Sequence, residues 1–235
     1  MLSLALPEVD EGWLEGFSAG LLSLADAHDV ALVGGDTTRG PLNLSIQIIG
    51  EVTADKALRR DQALPGDDIW ISGIVGEAAL GLRHLQQQLH LPAALSTLAL
   101  QRLHAPQPRV NLCMALAPYS RCAIDISDGL VADLSHICEQ SGCGAQLSLA
   151  ALPQSPLLQS VDADLRQQVM LAGGDDYELC FTAKAEHAAH IGLLSRHLAL
   201  PLTRIGTIVA GSGVQLQQAD GSLLQRSFKG FDHFA

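Results

Sequence analysis

The chain has 235 residues, 48% of them hydrophobic and 17% charged, with a formal net charge of −11 at neutral pH. That apolar share supplies a packed core and excludes disorder, and an acidic balance without a basic patch excludes a nucleic-acid binder. An anionic substrate would need metal ions or local hydrogen-bond donors to offset the repulsion. No apolar run is long enough to span a bilayer. MLSLALPEVDEGW at the start lacks the basic leader and apolar centre of a signal peptide, so a cytoplasmic setting without membrane contact is expected. Cys113, Cys122, Cys138, Cys143 and Cys180 form no CxxC pair and read as buried reduced thiols rather than a zinc site.

Trp13, Leu14, Phe17, Leu21, Leu24 and Ala25 recur at helical spacing and predict an amphipathic helix over 10–28. Val30 to Val33, running into Gly34-Gly35-Asp36, predict a short buried strand. Leu42, Leu44, Ile46 and Ile48 alternate with Asn43, Ser45 and Gln47, which predicts a strand with one wet face. Gly50 to Pro65 is a candidate hinge. Beyond it, DDIWISG from Asp67 reads as a strand and VGEAALGLRHLQQQL as a helix. HAPQPR, at 104–109, breaks the chain before a helix from Val110. AIDISDGLVADL starts as a strand and becomes a helix reaching about Glu139. SGCGAQLSL turns into another strand and 162–172 is helical. LAGGDDYELCFT is a glycine turn feeding a strand, 183–197 is helical, and TRIGTIVAG is a strand. Gly211-Ser212-Gly213 and Asp220-Gly221 suggest hairpin turns. Strands interleaved with helices predict an α/β or α+β domain from about residue 53 to the end.

Three turns combine glycine with acid at a strand end: Gly34-Gly35-Asp36, Asp125-Ile126-Ser127-Asp128-Gly129 and Gly173-Gly174-Asp175-Asp176-Tyr177-Glu178. Glycine lets backbone amides approach a ligand closely, and carboxylates there are a common source of oxygen ligands for Mg²⁺, which bridges them to phosphates. A nucleotide bound through metal accounts for all three. Taken singly, each is just a turn, and Asp128 equally suits a helix N-cap. Gly73 and Gly76 follow a strand without a Walker lysine and fit tight helix–strand packing better than a phosphate loop. Arg60 and Arg109 are candidate phosphate contacts by their bidentate geometry, or surface arginines.

VGGDTTRGP at 33–41, AIDISDGLVADLSHI at 123–137, GGDDYELCFT at 173–182 and KGFDHF at 229–234, with PxPR at 106–109, resemble the motifs of bacterial thiamine-monophosphate kinase. That family sits in an ATP-using superfamily with aminoimidazole ribonucleotide synthetase, selenophosphate synthetase and a hydrogenase maturation factor. The resemblance implies an α/β (α+β), two-domain synthetase-like fold. Residues 1–52 would be the remnant of an incomplete N-terminal ATP- and metal-binding domain, and 53–235 a complete C-terminal domain with a mixed sheet. It implies Mg²⁺-assisted transfer of the terminal phosphoryl of ATP to thiamine monophosphate, with no residue acting as acid or base. By resemblance, Asp36, Asp125 and Asp128 are metal ligands, and Gly35, Asp36, Arg60 and Ser127 contact ATP. Asp175, where the family has glutamate, and Phe231, an aromatic wall, contact the thiamine substrate. The family begins with a further stretch carrying a GDD motif, a threonine–aspartate metal site and an NLSDLAAMGA-like helix, which this sequence lacks. A shortened form with weak activity is therefore expected, as is the family's homodimer for the complete protein. The alternatives are a sister synthetase of the same superfamily, against which GGDDYEL and the KGFDHF tail weigh, and a non-catalytic nucleotide-binding fragment.

Overall fold

The computed structural model describes residues 1–226 together with Phe228 and Gly230, and the chain divides into two units, Met1–Val52 and Thr53–Ala235. In the first unit, β1 (Leu2–Leu6) leads into α1 (Glu11–Ala27), followed by β2 (Gly35–Arg39) and β3 (Asn43–Ile46). Asp10 starts α1 by accepting a hydrogen bond from the Trp13 amide at 3.0 Å. β1 is the central strand, parallel to β2 and antiparallel to β3.

Two expectations need correcting here. The buried strand over residues 30–33 does not form; the strand begins at Gly35, where it was expected to have ended. The register pairs Leu2 with Gly35, so Val30 to Val33 run beyond the end of β1 with no strand to bond, and Val30, Leu32 and Val33 are exposed. β3 also lacks the expected dry face, since Leu42, Leu44, Ile46 and Ile48 are all exposed. β1 itself was not foreseen: LSLAL is short and Pro7 ends it at once.

The second unit runs β4 (Asp67–Ser72), α2 (Glu77–Leu85), α3 (Ala93–His104), α4 (Val110–Leu116), β5 (Cys122–Asp125), α5 (Leu130–Ser141), β6 (Gly144–Ser148), α6 (Pro156–Gln159), α7 (Ala163–Ala172), β7 (Leu179–Lys184), α8 (Ala188–His197), β8 (Leu202–Val209) and β9 (Gly213–Gln217). Its six strands form one mixed sheet in the order β5-β7-β4-β8-β6-β9. Period-2 alternation on β4 sends Ile69 and Ile71 to one face and Trp70 to the other. The first face packs with Leu80 of α2, Leu130, Leu134 and Ile137 of α5, and Val169 and Met170 of α7. The second packs Trp70 and Phe181 with Leu112 and Leu116 of α4 and Ile191 of α8. With both faces covered, β4 is buried at every position and β7 at all but Lys184.

The Gly211–Gly213 turn is not a hairpin. β9 pairs in parallel with β6, which lies between it and β8, so the turn is a crossover. Asp220-Gly221 does reverse the chain: the Gln218 amide bonds the Ser222 carbonyl at 2.8 Å, and Gln217 bridges to Leu223. α3 and α6 were not predicted.

Candidate functional site

β5 ends at Asp125 and α5 starts at Leu130, so the four residues Ile126 to Gly129 are the whole connection. Asp128 does not cap α5. The carboxylate of Asp133, buried in the first turn of the helix, does so with a single oxygen. Oδ2 accepts from the amides of Ser127 at 3.0 Å, Asp128 at 3.1 Å and Gly129 at 3.1 Å. Burial pushes the Asp133 carboxyl above its ordinary pKa, against the opposing effect of those three amides. The turn thus offers outward an exposed Asp125 and a half-buried Ser127 and Asp128. Neither aspartate carboxylate has an ion-pair partner among the described residues.

The third acidic turn lies against this one. The β5–β7 ladder continues past the strand ends through Ile126 N–H to the Glu178 carbonyl (2.8 Å), Tyr177 N–H to the Ile126 carbonyl (2.9 Å) and Asp175 N–H to the Ser127 carbonyl (2.9 Å). The approach is so close that a Cβ at Gly174 would collide with the Ser127 carbonyl. Asp175 (φ 67°) and Tyr177 (φ 50°) adopt the left-handed conformation, a strain of about 1 kcal/mol or more each. Tyr177 was not singled out from sequence. Its side chain is exposed, and its hydroxyl is pushed up by partial burial and then by Asp175, Asp125 and Asp128. These four groups therefore share one electrostatic neighbourhood.

The other two acids of GGDDYEL have structural duties. Asp176 accepts from the Gly76 amide at 2.6 Å and the Ala78 amide at 3.2 Å, anchoring the start of α2. Burial pushes its carboxyl up to about 8. Glu178 receives both arms of the Arg109 guanidinium and the Ser72 hydroxyl. Arg109 is thereby removed from the candidate phosphate contacts. The Gly73–Gly76 segment is packing rather than a phosphate loop: the Gly76 amide is taken, and a Cβ at Gly73 would strike Glu178.

Beside the DISDG turn lies a cavity of ≈ 790 Å³ within the second unit. Asp125, Ser127, Asp128 and Asp133 line one side, and Arg59, Arg60 and Asp61 another. The Arg59 segment is laid along β5, with its amide on the Arg121 carbonyl (2.8 Å) and its carbonyl taking the Ala123 amide (3.3 Å). Arg59 pairs with Asp61. Arg60 is exposed, and its guanidinium has no hydrogen-bond partner among the described residues.

Gly35 and Asp36 belong to the first unit, at the start of β2. A Cβ at Gly35 would collide with the Leu2 carbonyl, so glycine there serves the β1–β2 approach. Asp36 is exposed and accepts the Thr37 amide at 2.9 Å. Phe231 lies outside the described residues. Its neighbour Gly230 rests on the acidic turn, where a Cβ would sit 3.1 Å from the Asp128 carbonyl oxygen.

Among the described residues, no group of three or more His, Cys, Asp or Glu side chains is gathered to hold a metal by itself. Two neighbouring carboxylates and a hydroxyl suit Mg²⁺ nonetheless, because that ion takes one or two carboxylates and completes its shell with phosphate oxygens and water.

Residues 65–218 match the model of the AIR synthase related protein C-terminal domain, and residues 1–52 that of the N-terminal domain. Thiamine-monophosphate kinase of Escherichia coli (strain K12) is 42% identical over 236 residues, covering 100% of this chain and 73% of the relative. The Haemophilus influenzae enzyme of the same name is 39% identical, covering 99% and 72%. Among solved structures, thiamine-monophosphate kinase from Stenotrophomonas maltophilia K279a is 46% identical with a TM-score of 0.87, covering 95% of this chain and 72% of that one. AaThiL complexed with AMPPCP and TMP is 27% identical with a TM-score of 0.78, covering 100% and 72%. Escherichia coli HypE, 21% identical with a TM-score of 0.78 and covering 97% and 72%, shares the fold alone.

Proposed function

Because the chain belongs to the thiamine-monophosphate kinase family of AIR synthase related proteins, we propose that it transfers the terminal phosphoryl of ATP to thiamine monophosphate, giving thiamine diphosphate. The observation that supports this reading is the lashing of the DISDG turn to the GGDDYEL turn through the Ile126, Tyr177 and Asp175 amides. In this reading the DISDG turn serves nucleotide and metal, and the GGDDYEL turn bonded to it serves the thiamine substrate. A solved relative is complexed with both AMPPCP and TMP, the two classes of ligand this reading calls for.

In this reading Asp125 and Asp128 would hold Mg²⁺ in the second unit, and Asp36, in the first unit, is a metal ligand by the family resemblance alone. When bound, the metal neutralises charge on the transferring phosphoryl group. Ser127 touches ATP, Arg60 meets phosphate from across the cavity, and Gly35 offers a backbone contact. Asp175 and Phe231 bind the thiamine end, where an aromatic face suits a cationic ring. The acceptor is already an anionic phosphate, so the carboxylates need move no proton. Residues 1–52 act as the ATP- and metal-binding part and 53–235 as the synthetase-like domain. The family reading also carries a homodimer and a cytoplasmic setting; no helix among the described residues is long and apolar enough to cross a membrane.

The test is thiamine diphosphate formation from thiamine monophosphate and Mg-ATP. It is run on this chain and on the chain extended by the additional segment of the E. coli relative. Product is expected, with Asp125→Asn and Asp128→Asn each lowering kcat by roughly 100-fold or more, the scale for losing a group that stabilises transition-state charge. No product from either form overturns the assignment.

A further inference from the structure

The amides of Ser127, Asp128 and Gly129 converge at the start of α5, the arrangement by which a helix N-terminus ordinarily holds an anion from outside. Here all three point inward to one oxygen of Asp133, at 3.0, 3.1 and 3.1 Å, on a side chain that is buried with the rest of its residue. We propose that Asp133 is a positioning residue for the reaction. By satisfying the three amides from inside, it fixes the DISDG backbone so that the turn presents the Asp125 and Asp128 carboxylates and the Ser127 hydroxyl to a cation, leaving anion contact to Arg60 across the cavity. The proposal rests on the kinase reading and adds a role to a residue that reading leaves idle.

Three features carry it. A single acceptor oxygen shared by three consecutive amides is a geometric clamp, because shifting the oxygen breaks every bond at once. The clamped residues are the same three that carry or flank the candidate ligands. The second turn is bonded to the clamped segment through the Ser127 carbonyl, so a shift there would move Asp175 as well.

The test separates the position of the oxygen from the charge. Asp133→Asn keeps an acceptor oxygen at the same distance from the backbone but removes the charge. Asp133→Glu keeps the charge and displaces the oxygen by one methylene. Whole-chain variants are compared with the wild type by Mn²⁺ titration under electron paramagnetic resonance, by hydrogen exchange of the peptide spanning 126–130, and by melting temperature. For Asp133→Glu we expect at least a 10-fold loss of Mn²⁺ affinity and a similar loss of amide protection. Asp133→Asn should stay within about threefold of the wild type on both, and metal-free ATP affinity should change little in either. The proposal is overturned if Asp133→Glu behaves as the wild type, or if Asp133→Asn loses as much as Asp133→Glu in a folded protein. A wild-type chain that binds no Mn²⁺ would sink the kinase reading instead, and the exchange measurement would still decide whether Asp133 holds the turn.

Discussion

Replacing Arg109 by alanine would strand the carboxylate of Glu178. The Glu178 side chain is 6% exposed and that of Arg109 16%, so water cannot readily take the place of the lost guanidinium. Removing one member of a buried pair costs about 3–5 kcal/mol. Glu178 would keep the Ser72 hydroxyl as a donor, which puts the expected loss near the lower end, about 3 kcal/mol. For a unit of this size that corresponds to a melting shift of roughly 6–12 °C. Arg109→Lys should recover only part, because an ammonium is a point charge and cannot reproduce the two-pronged contact. Urea unfolding followed through Trp70, whose ring stacks on Phe181 beside this strand, would measure the loss. A double-mutant cycle with Glu178→Gln would isolate the pair. Arg109→Ala within about 1 kcal/mol of the wild type, or a coupling energy below about 1 kcal/mol, would refute the reasoning.

Asp176 predicts a pH dependence. Its carboxyl is raised by burial to about 8 in the folded protein. Between the unfolded value near 4 and about pH 8, the native state therefore keeps a proton that the unfolded state has released. Stability should fall as pH rises through that window, with a slope of up to about 1.4 kcal/mol per unit, and Asp176→Asn should flatten that part of the profile in denaturant titrations. Gly174→Ala should part the two acidic turns. We expect at least a 10-fold rise in KM for thiamine monophosphate, read from steady-state kinetics, and an unchanged KM would contradict the close approach. Burial pushes the thiols of Cys122 and Cys138 up to about 11 and about 12. Half-buried Cys113 should react first with a thiol reagent at pH 8, and the four buried cysteines only on unfolding, as counted by mass spectrometry.

Much of the second unit was legible because its signals are local. The Ile69-Trp70-Ile71 run of β4, the strand-to-helix switch around DISDG and the proline break before Val110 each follow from a handful of neighbours. The first unit was harder. β2 starts at Gly35 only because β1 starts at Leu2, and a pairing partner more than thirty residues away leaves no trace in the pattern of DVALVGGD. The Gly211–Gly213 turn failed for the same reason, since nothing local says that β6 lies between β8 and β9. In the second unit the acids of the DISDG and GGDDYEL turns were visible in the sequence, but which of them the fold itself uses was not. That Asp176 and Glu178 are buried while Asp175 is only half-buried accompanies two left-handed residues, Asp175 and Tyr177, that no propensity favours. Asp133 did leave a signal, an acid in the first turn of a helix behind a glycine.

The inward-facing half of GGDDYEL bears on how such a motif should be interpreted wherever it occurs. Asp176 joins a loop to the start of α2, and Glu178 joins Ser72 of β4 to Arg109, so both would be missed by folding before they were missed by chemistry. A descendant that had abandoned catalysis would still be selected to keep them. Survival of the pattern therefore attests to an intact scaffold; Asp125, Asp128 and Asp175, proposed above for metal and substrate, form no ion pair among the described residues and are the better test of a working state.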